Sequence, residues 1–259
     1  KGQEFGLARM EETIRAAIRD AGIRPDQIAA IGVATPGTMD IPAGIILDPP
    51  NLRPWQNVPV RDHLAEVFRI PTAFQNDANA AALGEHWAGA GRDAHSLVLF
   101  TLGTGVGGGI VLGDDVLTGR HSHGGELGHT RIEITNARKC SCGRLGCLEA
   151  YASATSVVKR AKEKLQENGS SSLHSAKDNL TARVIFEHAD QGDELAKSIV
   201  EGTAFYLAVG AVNAMHSINP DMIVFGGGMT AAGEGFLNQI RDHVKEMAFP
   251  EPADRTDMR

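Results

Sequence analysis

A chain of 259 residues, 42% hydrophobic and 22% charged, is long and apolar enough to bury the cores of two sub-domains, and its composition is neither that of a disordered nor of a fibrous sequence. The net charge of −7 and the lack of any Lys/Arg-rich run leave no basic face for a phosphate backbone, so no nucleic-acid partner is expected for this segment. No apolar run reaches the roughly 20 residues that span a bilayer, and residues 1–20, with Glu4, Glu11 and Glu12, do not read as a secretory signal; a cytoplasmic chain without a membrane partner is expected.

The elements follow from periodicity and breakers. Leu7, Met10, Ile14 and Ile18 recur at helical spacing, and Gly22 closes that helix before the apolar run Ile28 to Ala34, a strand. Thr35-Pro36-Gly37 breaks the strand, and the proline-dense stretch Asp48 to Pro54 can continue neither helix nor sheet. A helix over Val60 to Phe68 and a short extended piece over Thr72 to Gln75 lead to an alanine-rich helix over about Ala78 to Ala88. Asn76-Asp77 then falls at a strand-to-helix junction. Ser96 to Leu102 is an apolar strand, followed by the glycine-rich stretch Gly103 to Gly109 and by Ile110 to Leu117, folded around Gly113-Asp114-Asp115 as a hairpin. Helices are predicted over Thr155 to Gln166, Ala182 to Ala189, Glu194 to His216 and Phe236 to Met247, with residues 168–172 as a flexible connection. Met222 to Phe225 is a further strand, ending in Gly226-Gly227-Gly228. Strands alternating with helices predict an α/β fold with partly parallel sheets, divided into a smaller lobe over 1–92 and a larger one over 93–259.

Residues 121–150 have no hydrophobic period, so something else must organise them. Cys140, Cys142 and Cys147 are the only cysteines, too close together for a disulfide framework and odd in number. With His129 they give H-x10-C-x-C-x4-C, three thiolates and an imidazole, the donor set of a closed structural zinc site; Gly143 and Gly146 supply the turns. Three buried thiols beside an ordinary histidine are the bland alternative, and iron or another metal suits the same sulfurs. His121 and His123 sit in a Gly/Ser loop and are expected to be exposed.

Four further features admit two readings each. The backbone N–H groups of Leu102 to Gly109 can converge on phosphate oxygens, yet the stretch has no Gly-Lys-Ser/Thr and serves equally as a tight hairpin. Gly226 to Gly228 either let a nucleotide approach the backbone or simply end a strand. Asp77 can accept a proton from a substrate hydroxyl while Asn76 fixes a neighbouring one, but both residue types also cap helices. Glu126 and Glu149 flank the cysteine segment and are either ligands for several hydroxyls or solvated charge. His129 can hold a metal through one ring nitrogen and a substrate through the other.

Together Leu102-Gly-Thr-Gly-Val-Gly-Gly-Gly109, Gly125-Glu-Leu-Gly-His129, Cys140-Ser-Cys-Gly-Arg-Leu-Gly-Cys-Leu-Glu-Ala-Tyr-Ala-Ser153 and Asn76-Asp77-Ala-Asn79 resemble the ROK (repressor, open reading frame, kinase) family, from about Ile28 onward. Within it the sequence looks most like bacterial glucokinases, with N-acetylmannosamine and other hexose kinases close behind. The resemblance implies an actin-like (ribonuclease H-like) two-lobed fold and transfer of the ATP γ-phosphoryl group, with Mg²⁺, to a sugar 6-hydroxyl. It implies Asp77 as base and Asn76, Glu126, His129 and Glu149 as sugar ligands, with Gly37 and Asn51 matching less closely. Thr104 and Gly105 match the phosphate-binding segment and Gly226, Gly227 and Gly228 the adenosine side. His129, Cys140, Cys142 and Cys147 match the ligands of a structural Zn²⁺, and a homodimer or tetramer is implied. The family's opening Asp-x-Gly-Gly-Thr-type motif has no counterpart before Ile28, and a final strand and helix are expected beyond Arg259, so the fold is expected to be truncated at both ends. A sugar-sensing repressor of the same family is the competing expectation.

Overall fold

The computed structural model describes residues 2–49, 52–167 and 170–259. Asn51 and the Asn168-Gly169 part of the expected flexible connection lie outside the described residues. The chain divides into two compact units, residues 1–80 with 118–124, and residues 81–117 with 125–259.

In the first unit, α1 (Gln3–Asp20) and α2 (Val60–Phe68) accompany two two-stranded sheets. β1 (Ile31–Thr35) pairs in parallel with β4 (Thr72–Asn76), and β2 (Met39–Asp40) pairs antiparallel with β3 (Ile45–Ile46). The 3.6-residue spacing in α1 puts Leu7, Met10 and Ile14 on one face, packed on a core of Met39, Ile46, Trp55, Val58, Val60, Leu64 and Phe74. Trp55 crosses α1 so closely that a Cβ on Gly6 would lie 2.0 Å from its ring. Β1 begins three residues later than the apolar run suggests, because its ladder starts where Ile31 finds Thr72, and it runs through Thr35 to the proline that ends it.

In the second unit a five-stranded sheet has the order β7-β6-β5-β8-β9. β5 (Ser96–Leu102) is central, antiparallel to β6 (Val106–Leu112) and parallel to β8 (Met222–Gly226); β7 (Asp115–Val116) and β9 (Asp257–Met258) form the edges. The helices of this unit are α4 (Glu149–Ala152), α5 (Ala154–Gln166), α6 (Ala182–Asp190), α7 (Glu194–Ile218), α8 (Gly233–Met247) and α9 (Pro250–Arg255). α3 (Asp77–Ala88) begins in the first unit and ends in the second. α7 is apolar and long enough to pass for a membrane span, against the expectation that no stretch is; 56% of the relevant window is buried among core residues. Its buried row, Ile199, Thr203, Leu207, Gly210 and Ala214, is the face a core helix needs.

The glycine-rich stretch differs from its expected form. Only Gly103-Thr104-Gly105 make the turn, and Val106 to Gly109 are strand residues in register with Leu102 to Leu99. One strand glycine and one glycine of the facing segment answer to packing: a Cβ on Gly108 would lie 2.5 Å from the Gly125 carbonyl oxygen, and one on Gly128 would lie 1.8 Å from that of Val106. β6 and residues 125–128 therefore touch backbone to backbone, which only glycine permits.

Candidate functional site

In the second unit, residues 127–129 form one 3₁₀ turn that presents His129, exposed, at its end. The next 18 residues have almost no regular structure and are held by cross-links: bridges pair Arg131 with Cys147 and Lys139 with Leu145, and the Gly146 N–H donates to the Arg138 carbonyl. Gly143 and Gly146 turn the chain at φ +85° and +81°, in the left-handed region where a side chain is strained. The imidazole of His129 and the three thiols converge, with donor atoms all within 4.8 Å of one another. Cys142 Sγ lies 3.8 Å from Cys147 Sγ, and Cys140 Sγ lies 3.7 Å from His129 Nδ1. Tetrahedral zinc with Zn–S of about 2.3 Å and Zn–N of about 2.0–2.1 Å implies donor separations of roughly 3.5–3.8 Å. The donor set and these separations fit the ion.

Electrostatics agree. Burial pushes the Cys140 thiol up to about 12, and burial also raises Cys147. Burial opposes ionisation of exposed Cys142 as well, but the Arg144 amide and the neighbouring thiols outweigh it and lower that group. Three crowded thiols resist joint ionisation unless a cation replaces the missing counter-charge, which is what a metal supplies.

Glu149, the first residue of α4, links this cluster to the glycine turn. Its Oε1 accepts from the Ser141 hydroxyl at 2.5 Å and the Cys140 thiol at 3.3 Å, and its Oε2 accepts from the Val106 N–H at 3.2 Å. Glu126 immediately precedes the 3₁₀ turn that His129 ends, and its carbonyl accepts from the His129 N–H at 3.0 Å. Gly227, at φ +102°, backs onto Leu102 at the start of the 103–105 glycine turn, where a Cβ would lie 2.6 Å from the Leu102 carbonyl oxygen. Gly226 ends β8 and Gly228 opens a 3₁₀ turn. His121 and His123 are exposed, as expected.

In the first unit, Asn76 ends β4 and Asp77 starts α3. The cap is mainly the work of Asn76, whose Oδ1 accepts from the Ala78 and Asn79 N–H groups at 2.9 and 3.2 Å. Asp77 accepts from the Ala78 N–H through Oδ1 alone and is exposed. Nearby, Thr35 Oγ1 and Asn79 Oδ1 are buried without hydrogen-bond partners among the described residues, the kind of orphan that a bound polar molecule or water satisfies. Gly37 turns the chain at φ +96°, where a Cβ would lie 2.4 Å from that of Pro49. Sequence reasoning passed over Thr35, Ser141 and Thr155; an isolated hydroxyl residue gives no periodic or metal-ligand signal.

The family model of the ROK family matches residues 6–257, and the chain belongs to that family. Its α/β fold is of the actin-like type expected, as the likeness to solved family members bears out. Three relatives fix the neighbourhood. A glucokinase of Halalkalibacterium halodurans is 40% identical over 235 residues, 90% of this chain and 71% of its own length. The ROK hexokinase of Thermus thermophilus is 33% identical, with a TM-score of 0.84, covering 100% of this chain and 81% of that one. A ROK family transcriptional regulator, a homologue of the E. coli MLC protein, is 27% identical with a TM-score of 0.88; 99% of this chain matches 64% of it.

Proposed function

We propose that this chain carries the machinery of a glucokinase, a hexokinase that transfers the γ-phosphoryl group of Mg-ATP to the 6-hydroxyl of glucose. The observation that carries the reading is Asp77: an exposed carboxylate at a strand end, with one oxygen engaged by the helix and the other uncommitted among the described residues. Asn76 does the capping, so Asp77 is left available as a base. In this reading Asp77 accepts the proton as the sugar oxygen bonds to phosphorus and ADP leaves. Asn76, Glu126, His129 and Glu149, with Gly37 and Asn51, hold the remaining hydroxyls. A carboxylate offers about four lone-pair sites, so Glu149 can serve a sugar while keeping its internal bonds.

Thr104 and Gly105 take the phosphates, and Gly226 to Gly228 leave room for the adenosine. Phosphoryl transfer asks a protein mainly for positioning and charge neutralisation, which backbone N–H groups and Mg²⁺ provide. Zn²⁺ would be held by His129, Cys140, Cys142 and Cys147. With four protein donors it has no open position, and it supplies order to a loop that has no core of its own. The proximity of His129 Nδ1 to Cys140 leaves Nε2 for a sugar oxygen. Three free thiols agree with a reducing compartment, the cytoplasm; we take the protein to work there as a homodimer or tetramer, without nucleic acid or membrane as partner of this segment.

The test is ATP-dependent phosphorylation by the full-length protein of glucose, mannose, N-acetylmannosamine and fructose, beside Asp77→Asn. Glucose turnover that falls about 10²–10⁴-fold in the variant is expected. Preference for N-acetylmannosamine or another hexose would move the substrate. Sugar binding without turnover would favour a sugar-sensing repressor, the reading that the likeness to the transcriptional regulator supports.

A further inference from the structure

Residues 147–155 end one site and hold another. Cys147 is the last thiol of the cluster. Within eight residues of it the chain grips the β5–β6 turn at three points: Glu149 Oε2 accepts from the Val106 N–H at 3.2 Å, the Ala154 N–H donates to the Gly103 carbonyl at 2.9 Å, and the Thr155 hydroxyl donates to the Thr104 carbonyl at 2.8 Å. The turn's own bond is that of the Gly103 N–H to the Gly105 carbonyl, 3.0 Å, and two glycines in three residues make it conformationally loose. The gripping segment is stiff by contrast. Ala150, Tyr151 and Ala152 are buried, the Ser153 hydroxyl caps α5 by accepting from the Ser156 N–H at 3.1 Å, and the Tyr151 hydroxyl accepts from the Arg138 N–H at 2.8 Å.

The consequence follows from peptide planarity. In a trans peptide the C=O and the following N–H point in opposite directions. Anchoring the Gly103 and Thr104 carbonyls to the start of α5 therefore aims the N–H groups of Thr104 and Gly105 away from α5. Those are the two donors a phosphate would meet.

We propose that Thr155 is a positioning residue for the glycine turn, and that residues 147–155 form a strut through which the order of the thiolate cluster sets nucleotide affinity. The proposal rests on reading that turn as the phosphate-binding segment. Removal of the metal releases Cys147, two residues before Glu149, and Cys140, beside the Ser141 whose hydroxyl donates to Glu149; the carboxylate that holds the Val106 N–H then loses its fixed position. Nucleotide affinity then falls along with sugar affinity.

The experiment compares the full-length protein, Thr155→Val, Thr155→Ser and a chelator-stripped sample. The readouts are kcat, KM for ATP and for glucose, bound metal, and backbone hydrogen exchange at residues 103–106. Thr155 is exposed, so its replacement leaves the core intact. Thr155→Val is expected to raise KM for ATP about tenfold, the effect of one lost anchoring hydrogen bond. KM for glucose and metal content should stay within twofold, and Thr155→Ser should restore the parent value. Exchange at residues 103–106 should quicken in Thr155→Val and on stripping. An unchanged KM for ATP in Thr155→Val, equal behaviour of the Ser and Val variants, or stripping that loosens 129–147 but not 103–106 would each overturn the strut. Absence of phosphoryl transfer in the parent protein sinks the kinase reading instead, and the exchange measurements still decide the strut.

Discussion

The thiolate loop and helix α7 lie in the same unit and are ordered by opposite means. α7 buries twelve of its residues, ten of them in the largest apolar cluster among the described residues, so its conformation is held by area removed from water, at about 25 cal/mol per Å². Residues 129–148 contribute few side chains to that cluster and are held by two left-handed glycines, scattered backbone bonds and, in the proposed zinc site, four converging donor atoms. Burial is non-directional and distributes its effect over many residues. The loop concentrates its order in a few atoms whose exact geometry matters. Damage to the helix should therefore lower the stability of the whole unit, whereas damage to the loop should abolish one site and leave the rest folded.

The largest effect expected is on the helix side. Leu207 is fully buried in α7, and Leu207→Ala should cost about 2–5 kcal/mol of global stability. Urea titration followed by far-ultraviolet circular dichroism would register it as a lower midpoint, while stoichiometric metal binding persists in the folded protein. Loss of metal at urea concentrations below the unfolding transition would break the comparison. On the loop side, a Cβ on Gly146 would lie 2.0 Å from the Glu133 carbonyl oxygen, whereas one on Gly143 would meet nothing within 4 Å. Both residues are left-handed, so both alanines carry about 1–2 kcal/mol of backbone strain; only Gly146→Ala adds a backbone collision. Gly146→Ala should lose most of its bound metal, measured by a chromophoric chelator, with an unfolding midpoint close to the parent's. Gly143→Ala should keep the metal with a modest drop in affinity. Equal loss in the two would mean that strain, and not the cross-link to Glu133, governs the loop.

The same contrast explains what the sequence discloses. α1, α2, α5 and α7 are legible within a few residues because burial imposes a period that the side chains must follow. The ligand set His129, Cys140, Cys142 and Cys147 is legible because few other arrangements have a use for three thiols in eight residues. What stays hidden is set by contacts between backbones. Gly107 to Gly109 read as loop because glycine is read as a breaker, yet they are strand residues, and Gly108 is bare where Gly125 and Leu127 approach. Thr155 reads as an ordinary helix residue until its hydroxyl is found on the Thr104 carbonyl. Asn76 and Asp77 were equivalent candidates for a cap; the tertiary arrangement assigns most of that task to Asn76.

The smallest effect lies where the two modes of order meet, at the start of α7. Asp193 caps that helix, its carboxylate accepting from the Ala196 N–H at 2.8 Å, from the Ser171 hydroxyl, and from the hydroxyl and N–H of Ser172. Partial burial raises its pKa, but these donors outweigh burial and bring it from the ordinary 3.8 down to about 2. A group whose folded pKa is depressed stabilises the fold fully above its unfolded value and loses that contribution as pH falls through the folded one. Asp193→Ala should therefore cost about 1 kcal/mol at neutral pH, the usual size of a lost N-cap. The gap between parent and variant should shrink as pH drops from about 4 towards 2. Taking the difference between the two proteins at each pH removes the contributions of every other carboxylate and of metal release, which both share. A gap that stays constant down to pH 2 would show that Asp193 supports α7 through shape alone, and would place the entire helix on the non-directional side of the comparison.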